Sequence, residues 1–187
     1  TVNGICRFRD DDCFDTIPTY GAQSKNVGQI LETKSGRLLI NTADAISLYK
    51  SESDAFESVI TIYSGALKYI STAYVSPDDR LWILGDRLYC YDTDNFRLIN
   101  TFPLPEVELV SSCMAPDGAI WMSFADGMRL FSTAKGAFVP LPEAVAANSA
   151  LSSAPISQIF LCSGSILFLS ADSEALAYKI SGGTLTS

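Results

Sequence analysis

The chain has 187 residues, enough for one globular domain with a sizeable core, and 48% of them are hydrophobic and 11% aromatic. Those proportions exclude a disordered or collagen-like chain. The net charge of -8 comes without a Lys/Arg-rich run, which sets aside nucleic-acid binding and disfavours anionic membrane surfaces.

In chain order, residues 4–17 read as strand, acidic turn, strand: Ile5-Cys6-Arg7-Phe8, then Asp10-Asp11-Asp12, then Cys13-Phe14-Asp15-Thr16-Ile17. The five cysteines leave at least one free or paired with another chain. Cys6 and Cys13 flank the acidic turn, and both a disulfide across a hairpin and a pair of free thiols stay open. Cys90, Cys113 and Cys162 sit in apolar strand patterns, where cysteine acts as a small hydrophobe.

Self-similarity is the clearest signal that follows. The segments Ala73-Tyr74-Val75-Ser76-Pro77-Asp78-Asp79-Arg80-Leu81-Trp82-Ile83 and Ser112-Cys113-Met114-Ala115-Pro116-Asp117-Gly118-Ala119-Ile120-Trp121-Met122 align. Weaker copies run from Ile30 to Ile40 and from Gln158 to Phe168. Each predicts a strand, a two-residue hairpin turn and a second strand, the turns being Ser35-Gly36, Asp78-Asp79, Asp117-Gly118 and Ser163-Gly164. A third strand ends at Ser47-Leu48-Tyr49, Tyr89-Cys90-Tyr91, Leu130-Phe131 and Ala177-Tyr178. A fourth spans Phe56 to Ile62, Phe96 to Phe102, Phe138 to Leu141 and Thr184 to Thr186.

Four antiparallel strands at this period are the pattern of propeller blades. The expectation is an all-β fold of β-propeller type, a single partial propeller over 1–187. It has a half blade at about 1–20 and four blades at about 27–65, 68–105, 107–144 and 154–187. The half blade matches the last two strands of a blade whose first two are missing. Repeat units bury their apolar faces only against neighbours, so this is either a piece of a larger ring or a small closed one. The uncharged stretch from Ala144 to Ala171 is broken by Asn148, Pro155, Gly164 and serines, and is too interrupted to span a membrane. Residues Glu143 to Leu151 read as a loop or a single helical turn. The start at Thr1 shows no signal peptide, and a signal or anchor is expected outside these residues.

The run Pro77-Asp78-Asp79, Leu81-Trp82-Ile83, Arg87-Leu88-Tyr89-Cys90-Tyr91 resembles the two-component-regulator propeller repeat. So does Ala115-Pro116-Asp117-Gly118-Ala119-Ile120-Trp121-Met122 with Asp126-Gly127-Met128-Arg129-Leu130-Phe131. The resemblance covers most of the chain, with Leu39 and Leu167 standing where the other two repeats have tryptophan. It implies the periplasmic sensor region of a membrane-anchored hybrid two-component system of the Bacteroidetes, sensing glycan fragments. Its implied partners are a small-molecule or oligosaccharide ligand and remaining blades or a second copy of the chain. The alternative is a propeller scaffold that docks other proteins.

The chemistry points the same way. Histidine is absent, which removes the commonest general base, the usual zinc ligand and any Ser-His or Cys-His nucleophile. No cysteine pair has zinc-finger spacing and no glycine loop cradles a phosphate, so no enzyme, catalytic residue, metal or cofactor is expected. Asp10-Asp11-Asp12 and Asp92-Thr93-Asp94-Asn95 have oxygen ligands for calcium, but solvated turns are the plainer reading, and the second lacks the later Gly and Glu of a calcium loop. Trp82 and Trp121 hold equivalent repeat positions, which favours core packing over stacking on a sugar. Tyr20, Tyr63, Tyr69 and Tyr74 lie near loops or strand ends, where a binding rim forms, and no single ligand residue stands out.

Overall fold

The computed structural model describes residues 5–9, 13–170 and 175–186. The Asp10-Asp11-Asp12 turn lies outside them. The chain divides into two compact units, Thr1–Leu104 and Pro105–Ser187.

The first unit begins with β1 (Ile5–Phe8) and β2 (Phe14–Ile17), a two-stranded antiparallel sheet. Next come β3 (Thr19–Tyr20), β4 (Val27–Glu32), β5 (Leu38–Thr42), β6 (Ala45–Lys50) and β7 (Ala55–Thr61). Strands β4 to β7 form the antiparallel meander expected of a blade. Strand β3 adds a fifth, parallel strand on the outer edge of β7, which the sequence did not suggest. The Pro18 carbonyl accepts the Phe56 N–H at 2.8 Å, and the Tyr20 carbonyl accepts the Ser58 hydroxyl at 3.0 Å. A two-residue strand offers no periodicity to read, so only the fold reveals it. The second sheet is β8 (Thr72–Val75), β9 (Arg80–Leu84), β10 (Arg87–Asp92) and β11 (Leu98–Pro103).

In the second unit, β12 (Leu109–Met114), β13 (Ala119–Phe124), β14 (Gly127–Ser132) and β15 (Ala137–Val139) make one sheet. Strands β16 (Ile156–Cys162), β17 (Ser165–Ser170), β18 (Ala175–Lys179) and β19 (Thr184–Thr186) make another. Between them the segment foreseen as a loop or single turn forms two one-turn helices, α1 (Glu143–Ala146) and α2 (Ser149–Ser152). The Asn148 side chain caps α2 by accepting the N–H groups of Ala150 and Leu151. No helix among the described residues is long and apolar enough to cross a membrane.

Three of the four first-to-second-strand turns differ from the expected two-residue form. The N–H groups of Thr33, Ser76 and Ala115 donate to the carbonyls of Arg37, Arg80 and Ala119, so each loop holds three residues. The third loop residue, Gly36, Asp79 or Gly118, takes the left-handed conformation with φ of 76°, 60° and 85°. The same Gly and Asp residues that signal a tight hairpin also suit this longer turn. Only Ser163-Gly164 is a two-residue turn, with both φ positive and Cys162 paired to Ser165.

The core obeys one alternation. In the first unit Leu39 points toward the second sheet and shares a cluster with Ile46, Leu48, Ile60, Leu81 and Ile83. Its neighbour Ile40 points the other way and packs with Ile17, Phe56 and Ile5. In the second unit Trp121, at the repeat position of Leu39, reaches forward to Ile166, Phe168 and Tyr178. The first strands lie side by side within each unit, β4 by β8 and β12 by β16. The Gln29 side chain accepts from Thr72 Oγ1 and the Ala73 N–H. The Ser111 hydroxyl donates to the Ile156 carbonyl at 2.7 Å. Three first strands carry a β-bulge at the same place, at Gly28, Val110 and Ser157.

Gly127 opens β14 with φ of 122°, and a Cβ there would lie 2.1 Å from the Ser152 carbonyl oxygen of α2. Gly127→Ala is expected to cost about 2–3 kcal/mol through strain and the forced shift of α2. Gly65→Ala, also at positive φ but with open space around the added carbon, should cost about 1 kcal/mol. Denaturant melts of the two variants check the order.

Candidate functional site

The second-to-third-strand turns carry a recurrence that the strand search passed over: a small residue followed by aspartate, at Ala43-Asp44, Gly85-Asp86 and Ala125-Asp126. The fourth copy, Ala171-Asp172, lies outside the described residues. The signal was visible in the sequence at repeat spacing, but a two-residue match acquires meaning only from what the carboxylates touch.

Asp44 is buried and saturated. It accepts the Gln23 N–H at 2.6 Å, the Ser24 N–H at 3.2 Å, the Thr42 hydroxyl at 2.7 Å and the Tyr63 hydroxyl at 3.4 Å. Burial alone would raise its pKa. The Thr42 hydroxyl and the Gln23 and Ser24 N–H groups outweigh that and hold it below the usual carboxylate value. Asp86 repeats the arrangement, accepting the Lys68 N–H at 3.3 Å and the Tyr89 hydroxyl at 2.9 Å. Burial, then Asp86, pushes the Tyr89 phenol up, so it stays a neutral donor. Asp126 instead pairs with Arg129 at 2.8 Å.

The result is a pinned segment between β7 and β8. After a single 3-10 turn at Ile62–Ser64, Leu67 and Ile70 enter the core. The Ala66 carbonyl accepts the Tyr89 hydroxyl at 2.8 Å, and the Ile62 and Ile70 N–H groups donate to the carbonyls of Asp44 and Ala43. The Tyr69 carbonyl lies so close to Gly85 that a Cβ there would be 2.3 Å from its oxygen. From this fixed backbone Tyr63 and Tyr69 project, 56% and 51% exposed. Aromatic rings presented on immobile backbone lose little entropy on binding, which suits a stacking surface. Of the four tyrosines expected to line a rim, these two share one segment. Tyr20 is exposed on β3, and Tyr74 is half-buried in β8 opposite Trp82.

The tryptophans do not serve as a sugar platform. Both are 3% exposed. Trp82 stacks on Phe102 and donates its indole N–H to Ser76 Oγ at 3.2 Å, while Trp121 fills the core of the second unit. The Asp92-Thr93-Asp94-Asn95 segment is a self-contained turn. Asp92 Oδ1 accepts the N–H groups of Asp94 and Asn95, and those bonds, aided by Arg80, lower its pKa. Asp78 accepts from Ser76, and Asp117 accepts the Ala119 N–H. Among the described residues no three His, Cys, Asp or Glu side chains group in a way that holds a metal ion.

The disulfide considered for Cys6 and Cys13 does not form. The β1–β2 register sets Cys6 opposite Thr16, while the Cys13 carbonyl accepts the Arg9 N–H, so the two thiols are staggered along the hairpin and both are free. Burial pushes the Cys90 thiol up to about 11 and also raises Cys113.

No family model and no curated protein matches the chain. Solved structures do. The extracellular domain of the putative one component system BT4673 from B. thetaiotaomicron matches with a TM-score of 0.69 at 15% identity, covering 94% of this chain and 25% of that one. The extracellular domain of the putative hybrid two component system BT3049 from B. thetaiotaomicron matches at 0.66 and 14%, covering 92% and 24%. The WD40 repeats of RRP9 match at 0.63 and 11%, covering 89% and 51%. The fold is therefore of β-propeller type. The chain spans about a quarter of the two B. thetaiotaomicron domains.

Asp44→Ala leaves the Gln23 and Ser24 N–H groups unpaired and should cost about 1–3 kcal/mol. Because the folded-state pKa of Asp44 is depressed, its contribution is present above the unfolded value near 3.9 and fades as pH falls through the folded one. Asp44→Asn should accordingly flatten the acid limb of a pH–melting profile. With a thiol reagent at neutral pH, Cys6, Cys13 and Cys162 should react readily in the native protein, the part-buried Cys113 more slowly, and Cys90 only on unfolding.

Proposed function

We propose that this chain is the ligand-sensing part of an extracytoplasmic domain belonging to a membrane-anchored two-component signalling protein, and that it binds neutral glycan fragments rather than performing catalysis. The observation that carries the reading is the pinned segment 62–70 with Tyr63 and Tyr69 held outward. Two fixed aromatic rings suit the C–H faces of sugars, and an acidic, histidine-free protein suits uncharged polyols better than anions or chemistry needing a neutral-pH base. The likeness to the B. thetaiotaomicron extracellular domains supports the signalling context, in which the ligand shifts a population between two arrangements of the larger protein.

A second reading, a scaffold that docks other proteins, draws on β11. Its outer edge is open among the described residues, and Leu98 and Ile99 are exposed along it.

Calorimetric titration with a panel of neutral oligosaccharides separates the two. Binding of one of them is expected, with Tyr69→Ala weakening it by about 1 kcal/mol, roughly fivefold, at unchanged melting temperature. No binding across the panel, together with a protein partner released by Ile99→Lys, would favour the scaffold.

A further inference from the structure

The two-stranded sheet β1–β2 occupies the place of the third and fourth strands of a blade. Its Ile5 and Ile17 pack on Ile40 as Leu48 and Ile60, from the third and fourth strands of the next sheet, pack with Ile83, the repeat counterpart of Ile40. Arg7 strengthens the seat with a bidentate pair to Asp54 at 2.9 and 3.0 Å, and the Tyr49 hydroxyl donates to the same carboxylate.

Two features set it apart from the other sheets. The first is an open edge. In each of the four larger sheets the third strand, β6, β10, β14 or β18, is flanked by a second strand. Strand β1 has β2 on one side and no strand among the described residues on the other. The Arg9 N–H bonds the Cys13 carbonyl, so the alternation of the ladder turns the backbone groups of Cys6 and Phe8 toward that open edge.

The second is an uncovered footprint on the neighbouring sheet. Ile30 and Leu38, on β4 and β5, share the face that carries Ile40. They are 63% and 39% exposed. Their counterparts Ala73 and Leu81 in the second sheet, and Ile159 and Ile166 in the fourth, are 5% exposed or less, and they share clusters with first- and second-strand residues of the preceding sheet, Leu31 and Leu39 in one case and Cys113 and Trp121 in the other. Open edge and bare apolar footprint fall where the first half of one blade would lie. On its far side the same small sheet shows Phe8 tilted against Phe14 with ring centroids 5.2 Å apart, both exposed. A two-stranded sheet with apolar residues on both faces is at most marginally stable by itself.

We infer that β1 is the docking edge for a two-stranded antiparallel ribbon with the first-half pattern of this repeat, carried by polypeptide outside these 187 residues. The ribbon's second strand pairs with β1, and its apolar face covers Ile30 and Leu38. This inference does not depend on what the domain senses.

Hydrogen-exchange mass spectrometry on the natural polypeptide containing these residues, compared with the 187-residue chain, tests it. The expected result is that residues 5–9 exchange at least about tenfold more slowly in the natural polypeptide, approaching 45–50 of β6. Ile30→Ser with Leu38→Ser should reduce that protection in the natural polypeptide. The same pair should lower the melting temperature of the 187-residue chain far less than a core substitution would, because Ile30 is 63% and Leu38 39% exposed there. Equal exchange of 5–9 in the two proteins would overturn the inference. So would protection that appears in the 187-residue chain alone as its concentration rises, since the edge would then be filled by a second copy.

Discussion

Within each unit of this protein, a sheet has an apolar face that must find another sheet. The alternation along each second strand executes this: Leu39 or Trp121 reaches forward, while Ile40, Leu81 and Ile83 reach back. Within each unit a sheet depends on its neighbour for burial that its own strands cannot supply. The side-by-side first strands follow from it, as do the links that Gln29 makes to Thr72 and Ala73 and that Ser111 makes to Ile156.

Facing sheets leave their connecting segments outside, and the chain binds those segments with carboxylates rather than with bulk. Asp44 and Asp86 sit at equivalent turns and accept N–H groups from the segment that enters their own sheet, Gln23 and Ser24 in one case and Lys68 in the other. Hydrogen bonds to a carboxylate are among the stronger ones, and here they turn loops into fixed supports. Tyr63 and Tyr69 inherit that rigidity. A propeller can thus present an ordered exposed surface, because the order of the surface comes from the turns beneath it.

The same dependence on neighbours explains why the first two strands look unlike the rest. Ile5, Arg7 and Ile17 are seated on the next sheet, yet Phe8 and Phe14 face outward and Ile30 and Leu38 are bare. In the second and fourth sheets the positions of Ile30 and Leu38 are covered.

The repeat, the four-stranded blades, the half blade and the burial of Trp82 and Trp121 were legible in the residue pattern, because strand periodicity and turn chemistry are local properties. The three-residue loops at Gly36, Asp79 and Gly118 were not told apart from two-residue turns, since a residue tolerant of positive φ serves both. The parallel strand Thr19–Tyr20, the stagger of Cys6 against Cys13, the saturation of Asp44 and the choice of Tyr63 and Tyr69 over Tyr74 were decided by the tertiary structure alone. Each depends on which segment lies beside which, and that is settled by packing between residues far apart in the chain, not by their order along it.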